Sequence, residues 1–145
     1  MEIIGVASDH AGYDLKCYVI AHLEKNGFGI KDFGCHSSAS CDYADFAHLL
    51  GYAIDNKKVT RGIVFCGSGN GISMTINKHQ TVRCALCWND EIAHLARQHN
   101  DANVLSLPAR FVTEREALKM VDIFLDEAFD GGRHLIRINK VPLPE

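Results

Sequence analysis

The chain has 145 residues, 47% of them hydrophobic, which is one ordinary domain with enough apolar material for a real core. Fifteen basic against eighteen acidic side chains give a net charge of −3, a balance that argues against nucleic acid or an anionic membrane as partner and leaves room for a small anionic ligand. No apolar run is long enough to span a bilayer and the first residues lack a basic segment followed by a long apolar one, so a cytoplasmic location is expected, with the six cysteines reduced.

Residues 3–7 read as a buried strand, and 14–26 as a helix with Leu15, Val19, Ile20 and Leu23 at helical spacing and Gly27 as its stop. Residues 28–33 alternate like a short strand, 34–42 form a polar loop, and 43–56 carry an apolar helical face through Phe46, Leu49, Leu50 and Ala53. A third strand, 61–65, runs through a glycine-rich turn, 66–71, into a short helix, 71–78. Strand 82–87, helix 90–98 and strand 104–107 follow. A helix over 113–129 opens on a capping box, Thr113 followed by Glu116, and stops or bends at Gly131-Gly132. The tail, 131–145, is basic early and proline-punctuated late, and is expected to extend along a surface or a partner subunit.

Strands alternating with helices predict an α/β fold: a single domain over 1–145, a three-layer, doubly wound sandwich around a five-stranded parallel sheet, Rossmann-like in architecture. Ligands in such sheets bind beyond the carboxyl ends of the strands. The chemistry is therefore expected in loops 8–12, 34–42, 66–71, 87–90 and 107–110.

The most informative of these is Cys66-Gly67-Ser68-Gly69-Asn70-Gly71. A strand that empties through alternating glycines into a helix presents free backbone N–H groups at the positive end of the helix dipole, a site for an anion, and a thiol seated there is favoured as thiolate. Its look-alikes fail on the letters. A nucleotide P-loop needs Gly-Lys-Ser/Thr, whereas Gly71 is followed by Ile72-Ser73; a dinucleotide fingerprint needs G-x-G-x-x-G after the first strand; a cysteine-phosphatase loop needs an arginine where Ile72 stands. Cys84 and Cys87 have C-x-x-C spacing, but residues three apart on a strand point to opposite faces and cannot share an ion. Cys35, His36 and Cys41 share one loop without a matching second pair.

Four segments, Ser8-Asp9-His10-Ala11-Gly12, Cys66 to Ser73, Arg97-Gln98-His99-Asn100-Asp101-Ala102-Asn103-Val104-Leu105 and Gly131-Gly132-Arg133-His134, together resemble the type B ribose-5-phosphate isomerases over nearly the whole chain. That family also contains galactose-6-phosphate and allose-6-phosphate isomerases. The resemblance implies interconversion of ribose 5-phosphate and ribulose 5-phosphate in the pentose phosphate pathway, without metal or organic cofactor, by a homodimer, or a tetramer of such dimers, whose active sites lie between subunits.

It also implies roles. Cys66 removes the C2 proton, the N–H groups of Gly67, Ser68, Gly69, Asn70 and Gly71 hold the enediolate oxygen, and the Ser68 hydroxyl moves a proton between the two oxygens. His99 assists ring opening, Asp9 and Asn100 hold sugar hydroxyls, and Tyr43 lies near the sugar. Arg133 and Arg137, at i and i+4, fork the phosphate if the tail is helical, with dimer contacts from the same 131–145 segment. His10 completes the phosphate pocket, Arg110 reaches the phosphate of the neighbouring subunit's site, and His134 is a weaker candidate of the same kind. The rival readings are isomerisation of a six-carbon sugar phosphate within the family and a non-catalytic sugar-phosphate sensor, against which an intact Cys66, Ser68 and His99 argue.

Overall fold

The computed structural model describes residues 1–145 and contains eleven elements in strict alternation until the end of the chain. They are β1 (Ile3–Ser8), α1 (Tyr13–Lys25), β2 (Gly29–Asp32), α2 (Tyr43–Asp55), β3 (Arg61–Cys66), α3 (Asn70–Ile76), β4 (Cys84–Leu86), α4 (Asp90–Gln98), β5 (Val104–Pro108), α5 (Glu114–Asp126) and α6 (Arg133–Ile138). The five strands form one parallel sheet in the order β2-β1-β3-β5-β4. No helix is long and apolar enough to cross a membrane.

The two-residue period of the strands builds two separate cores. Ile4 and Val6 of β1, Ile63 and Phe65 of β3, and Leu105 and Leu107 of β5 face α1, α4 and α5. The alternate positions, Ala7, Val64, Cys66 and Val104, face α2 and α3. Cys87 belongs to the first core and Cys84 packs on the second, so the C-x-x-C pair does fall on opposite faces. Burial pushes both thiols up to about 12, which keeps them neutral packing groups.

The boundaries that differ from the sequence reading have local causes. The fourth strand shrinks from 82–87 to Cys84–Leu86 because side chains intercept its start: Arg83 N–H donates to Asn103 Oδ1 at 2.7 Å and Cys84 N–H to Asn77 Oδ1 at 2.8 Å. The fifth helix stops at Asp126 rather than 129, where Glu127 turns extended and its carbonyl accepts from Arg97 Nε at 3.1 Å. Its start is as expected: Thr113 Oγ1 accepts from Glu116 N–H at 3.1 Å, and Thr113 N–H donates back to Glu116 Oε1 at 2.8 Å. The tail forms the short helix α6 before it runs out, and Gln80 grips it through Nε2 to the Leu143 carbonyl at 2.7 Å and Oε1 from the Leu143 N–H at 2.9 Å.

Candidate active site

The chain leaves β1 for β2 on one side and returns to β3 on the other, so the crevice opens between the carboxyl ends of β1 and β3. Asp9 N–H donates to the Phe65 carbonyl at 3.2 Å and fixes the two loops side by side. The Asp9 carboxylate is buried and accepts the Gly12 N–H at 3.0 Å, which shapes the turn into α1. His10 Nδ1 accepts the Cys41 N–H at 3.2 Å. The same Nδ1 lies 3.3 Å from the Cys41 carbonyl, so either role holds the ring against Cys41 and leaves Nε2 as its other polar atom.

Cys41 is held in turn by an anchor the sequence does not announce. Lys16 sits on the buried stripe of α1, wholly inaccessible, with Nζ on Asp32 Oδ1 at 2.8 Å and on the Cys35 carbonyl. Asp32 Oδ1 also takes the Gly34 N–H at 2.9 Å. This buried ion pair clamps the start of the 34–42 loop, whose far end supplies Cys41 to His10 and leads into Tyr43. A lysine among helical apolar positions ordinarily reads as a solvated residue, which hid it from sequence reasoning.

The glycine loop follows β3. Gly69 takes φ +76°, and its carbonyl accepts from Ser73 Oγ at 2.6 Å and Ser106 Oγ at 3.0 Å. A Cβ there would lie 2.4 Å from Leu86 Cδ1, so only glycine fits. The Tyr43 ring approaches Gly71 so closely that a Cβ would meet its carbons at 2.4–2.8 Å. The N–H groups of Gly67, Ser68, Gly69 and Gly71 donate to no protein atom, while Asn70 N–H bonds Ser68 Oγ at 3.2 Å and leaves that hydroxyl's proton free to be donated.

These pieces enclose a cleft of ≈ 470 Å³ lined by Asp9, His10, Ala11, Tyr43, Cys66, Gly67, Ser68, Gly71, Arg110 and Phe111. Arg110, expected at the phosphate of a neighbouring subunit's site, lines the cleft of its own chain. Ala109 and Arg110 N–H groups bond the Cys66 and Gly67 carbonyls at 2.9 and 3.0 Å, and the guanidinium lies against Gly67 in its own chain's cleft. Gly69 and Asn70 shape the loop without lining the cleft.

The other expected residues, His99, Asn100, Arg133 and Arg137, do not line it either. His99 closes α4 and its ring stacks on His134 with centroids 4.3 Å apart. Arg133 and Arg137 do fall one turn apart on α6, both exposed. Burial, then the neighbouring positive charges of His99, Arg133 and Arg137, hold His134 below the usual histidine range against the opposing pull of Asp130. Asn100 lines a separate cavity of ≈ 280 Å³ with Arg83, Cys84 and Ile138. The remainder of that polar segment is scaffold: Arg97 Nη1 bonds Asp101 Oδ1 at 2.8 Å and the Ala102 carbonyl at 2.7 Å, and Asn103 Nδ2 bonds the Thr81 carbonyl at 2.8 Å. The expected site residues therefore fall into two groups on separate surfaces of the chain.

Comparison with known proteins identifies the family. The chain is 38% identical over 141 residues to ribose-5-phosphate isomerase B of Escherichia coli, covering 97% of this chain and 95% of the relative. Its fold matches ribose-5-phosphate isomerase B of Clostridium thermocellum with a TM-score of 0.94 at 44% identity, over 97% of this chain and 95% of that one. It matches the Mycoplasma genitalium ribose-5-phosphate isomerase B, solved with bound ribulose-5-phosphate, with a TM-score of 0.91 at 43% identity, over 96% of this chain and 93% of that one. The family model of Ribose/Galactose Isomerase spans residues 4–141, and with it the cleft, His99 and His134, so the chain belongs to that family.

Proposed function

We propose that this protein interconverts D-ribose 5-phosphate and D-ribulose 5-phosphate through an enediolate, as an aldose–ketose isomerase. The observation that carries the reading is the cleft at the β1–β3 switch point, where a thiol, a hydroxyl and unused backbone N–H groups stand against one carboxylate, one imidazole and one guanidinium. An enediolate needs a base beside C2 and preorganised donors at its oxygens. Cys66 supplies the base, the N–H groups from Gly67 to Gly71 the donors, and Ser68 the hydroxyl that relays a proton between O1 and O2. Asp9 holds sugar hydroxyls, with Tyr43 flanking them.

The cleft alone lacks a group for ring opening and a second phosphate cation. His99, Asn100, Arg133 and Arg137, carried on another surface of the chain, fit that need if a second copy presents them. We therefore place the active site between the subunits of a homodimer, with the 131–145 segment reaching across, His10 and Arg110 joining the arginines at the phosphate, and His99 moving the proton that opens the ring. This reading places the enzyme in the cytoplasm, in the pentose phosphate pathway.

The test is the conversion of ribose 5-phosphate to ribulose 5-phosphate by purified, EDTA-treated protein, beside allose 6-phosphate and galactose 6-phosphate. Rapid conversion of the pentose is the expected result. Turnover of a hexose phosphate alone would overturn the substrate assignment, and no turnover of any of the three would overturn the catalytic one.

A further inference from the structure

One cluster of ligating side chains lies outside the cleft. His99 ends α4, Asp130 sits in the connection after α5, and His134 lies in the first turn of α6, with one ligand atom from each within 4.8 Å of the other two. The backbone beneath them is tied together. Asp130 N–H donates to the Gln98 carbonyl at 3.0 Å and His134 N–H to the Gly131 carbonyl at 3.2 Å, so the connection is pinned to the end of α4. The two imidazoles stack with an interplanar angle of 12°.

We propose that His99, Asp130 and His134 bind a divalent transition-metal ion of the zinc class, and that the bound ion withdraws His99 from the sugar. Two imidazoles and a carboxylate with a fourth position open is the donor set that such ions take in exposed sites. Bonds of about 2.0–2.1 Å in tetrahedral geometry place the ligand atoms roughly 3.4 Å apart. The cluster must therefore contract by up to about 1.4 Å, and the rings, now parallel, must tilt toward one another so that their in-plane lone pairs converge. His134 stands half-buried on the short helix α6, most of whose residues are exposed. Arg133 and Arg137 are carried on the same helix, so the local field opposes a cation. Coordination to imidazole rather than charge must hold the ion, which selects zinc, cobalt or nickel and rejects magnesium and calcium.

Binding stands independently of the proposed reaction; the loss of activity rests on the ring-opening role of His99. Cobalt is the probe for the first, titrated into the EDTA-stripped full chain and followed by visible absorption. The expected result is one ion per chain with ligand-field bands and no thiolate-to-metal charge transfer in the near ultraviolet. Affinity should fall about tenfold or more in Asp130→Asn and further in His134→Ala, while magnesium does not compete. Equal affinity in both variants, or charge-transfer bands that put the ion on cysteines such as the exposed Cys17, would overturn the site. Zinc should also inhibit isomerisation competitively with the sugar phosphate and reversibly by EDTA, needing about tenfold more ion in Asp130→Asn. Loss of binding in Asp130→Asn without any inhibition of the unmodified enzyme would keep the metal site and overturn the role of His99.

Discussion

Replacing Lys16 by Met tests whether the 34–42 loop is held by the buried ion pair. The substitution keeps the side-chain length and removes the charge, leaving Asp32 without its partner and the Cys35 carbonyl, which has no other donor, unsatisfied. Breaking a buried pair by deleting one member costs about 3–5 kcal/mol. Asp32 is 32% exposed at its side chain and keeps the Gly34 N–H, so water recovers part of its charge and the low end applies. The orphaned carbonyl adds about 1 kcal/mol, and Met packs as well as the lysine stem, for a total of about 3–4 kcal/mol. Urea unfolding should show that loss with an unchanged slope, and the melting temperature should drop by roughly 10 °C. Lys16→Met with Asp32→Asn should regain about 1–2 kcal/mol, because no unpaired charge remains. A loss below about 1 kcal/mol in the single variant would refute the argument, since a solvated surface lysine would behave that way.

Cys66→Ala should lower kcat by about 10²–10⁴-fold while sugar-phosphate binding, measured by calorimetry, stays within a factor of about two; full activity would remove Cys66 as the base. Thiol titration with an aromatic disulfide at neutral pH should modify the exposed Cys17 while the buried Cys87, pushed up to about 12 by burial, reacts only as the protein unfolds. Asp55 is pushed up by burial, yet the Thr81 and His79 hydrogen bonds outweigh that and hold its carboxyl below the usual range. Its stabilisation is thus full above the unfolded carboxylate pKa of about 3.9 and fades as pH falls through the folded value. The stability gap between the protein and Asp55→Asn should narrow from pH 6 to pH 3, and a gap that widens would reverse the assignment.

The elements readable in the sequence are those whose periodicity has one cause. Leu15, Val19 and Leu23 all reach the buried face of α1, and the Thr113–Glu116 box starts α5, because helical spacing and capping act within one turn. The glycine loop was legible because Gly69 must adopt positive φ, a requirement written in the residue type. What stayed hidden depends on partners far along the chain. Lys16 is inward because Asp32 and Cys35 await it, and no window of helical sequence contains them. The sheet order, with β5 inserted between β3 and β4, follows from β5 being buried along its whole length while the short β4 is only half-buried and takes the edge. Arg110 joins its own cleft through two backbone hydrogen bonds that the letters 108–111 do not encode.

The separation of Cys66 from His99 and Arg137 makes the strongest demand on any functional reading. Cys66 lines the cleft, whereas His99 and Arg137 stand on surfaces that do not. If each cleft is completed by the facing subunit, Cys66→Ala and His99→Asn are lesions on opposite sides of every site, and a dimer with one chain of each type holds one intact site and one doubly damaged site. Random reassociation of equal amounts makes about half the dimers mixed, each with half of its sites working, so two inactive preparations should regain about one quarter of the parental activity after joint refolding. Joint refolding of Cys66→Ala with Ser68→Ala is the control: both lesions lie in the same cleft wall, so every cleft in the mixture carries one of them and no activity should return. Recovery in the first mixture and none in the second is the signature of a site shared between subunits, and silence in both would require His99 to act within its own chain.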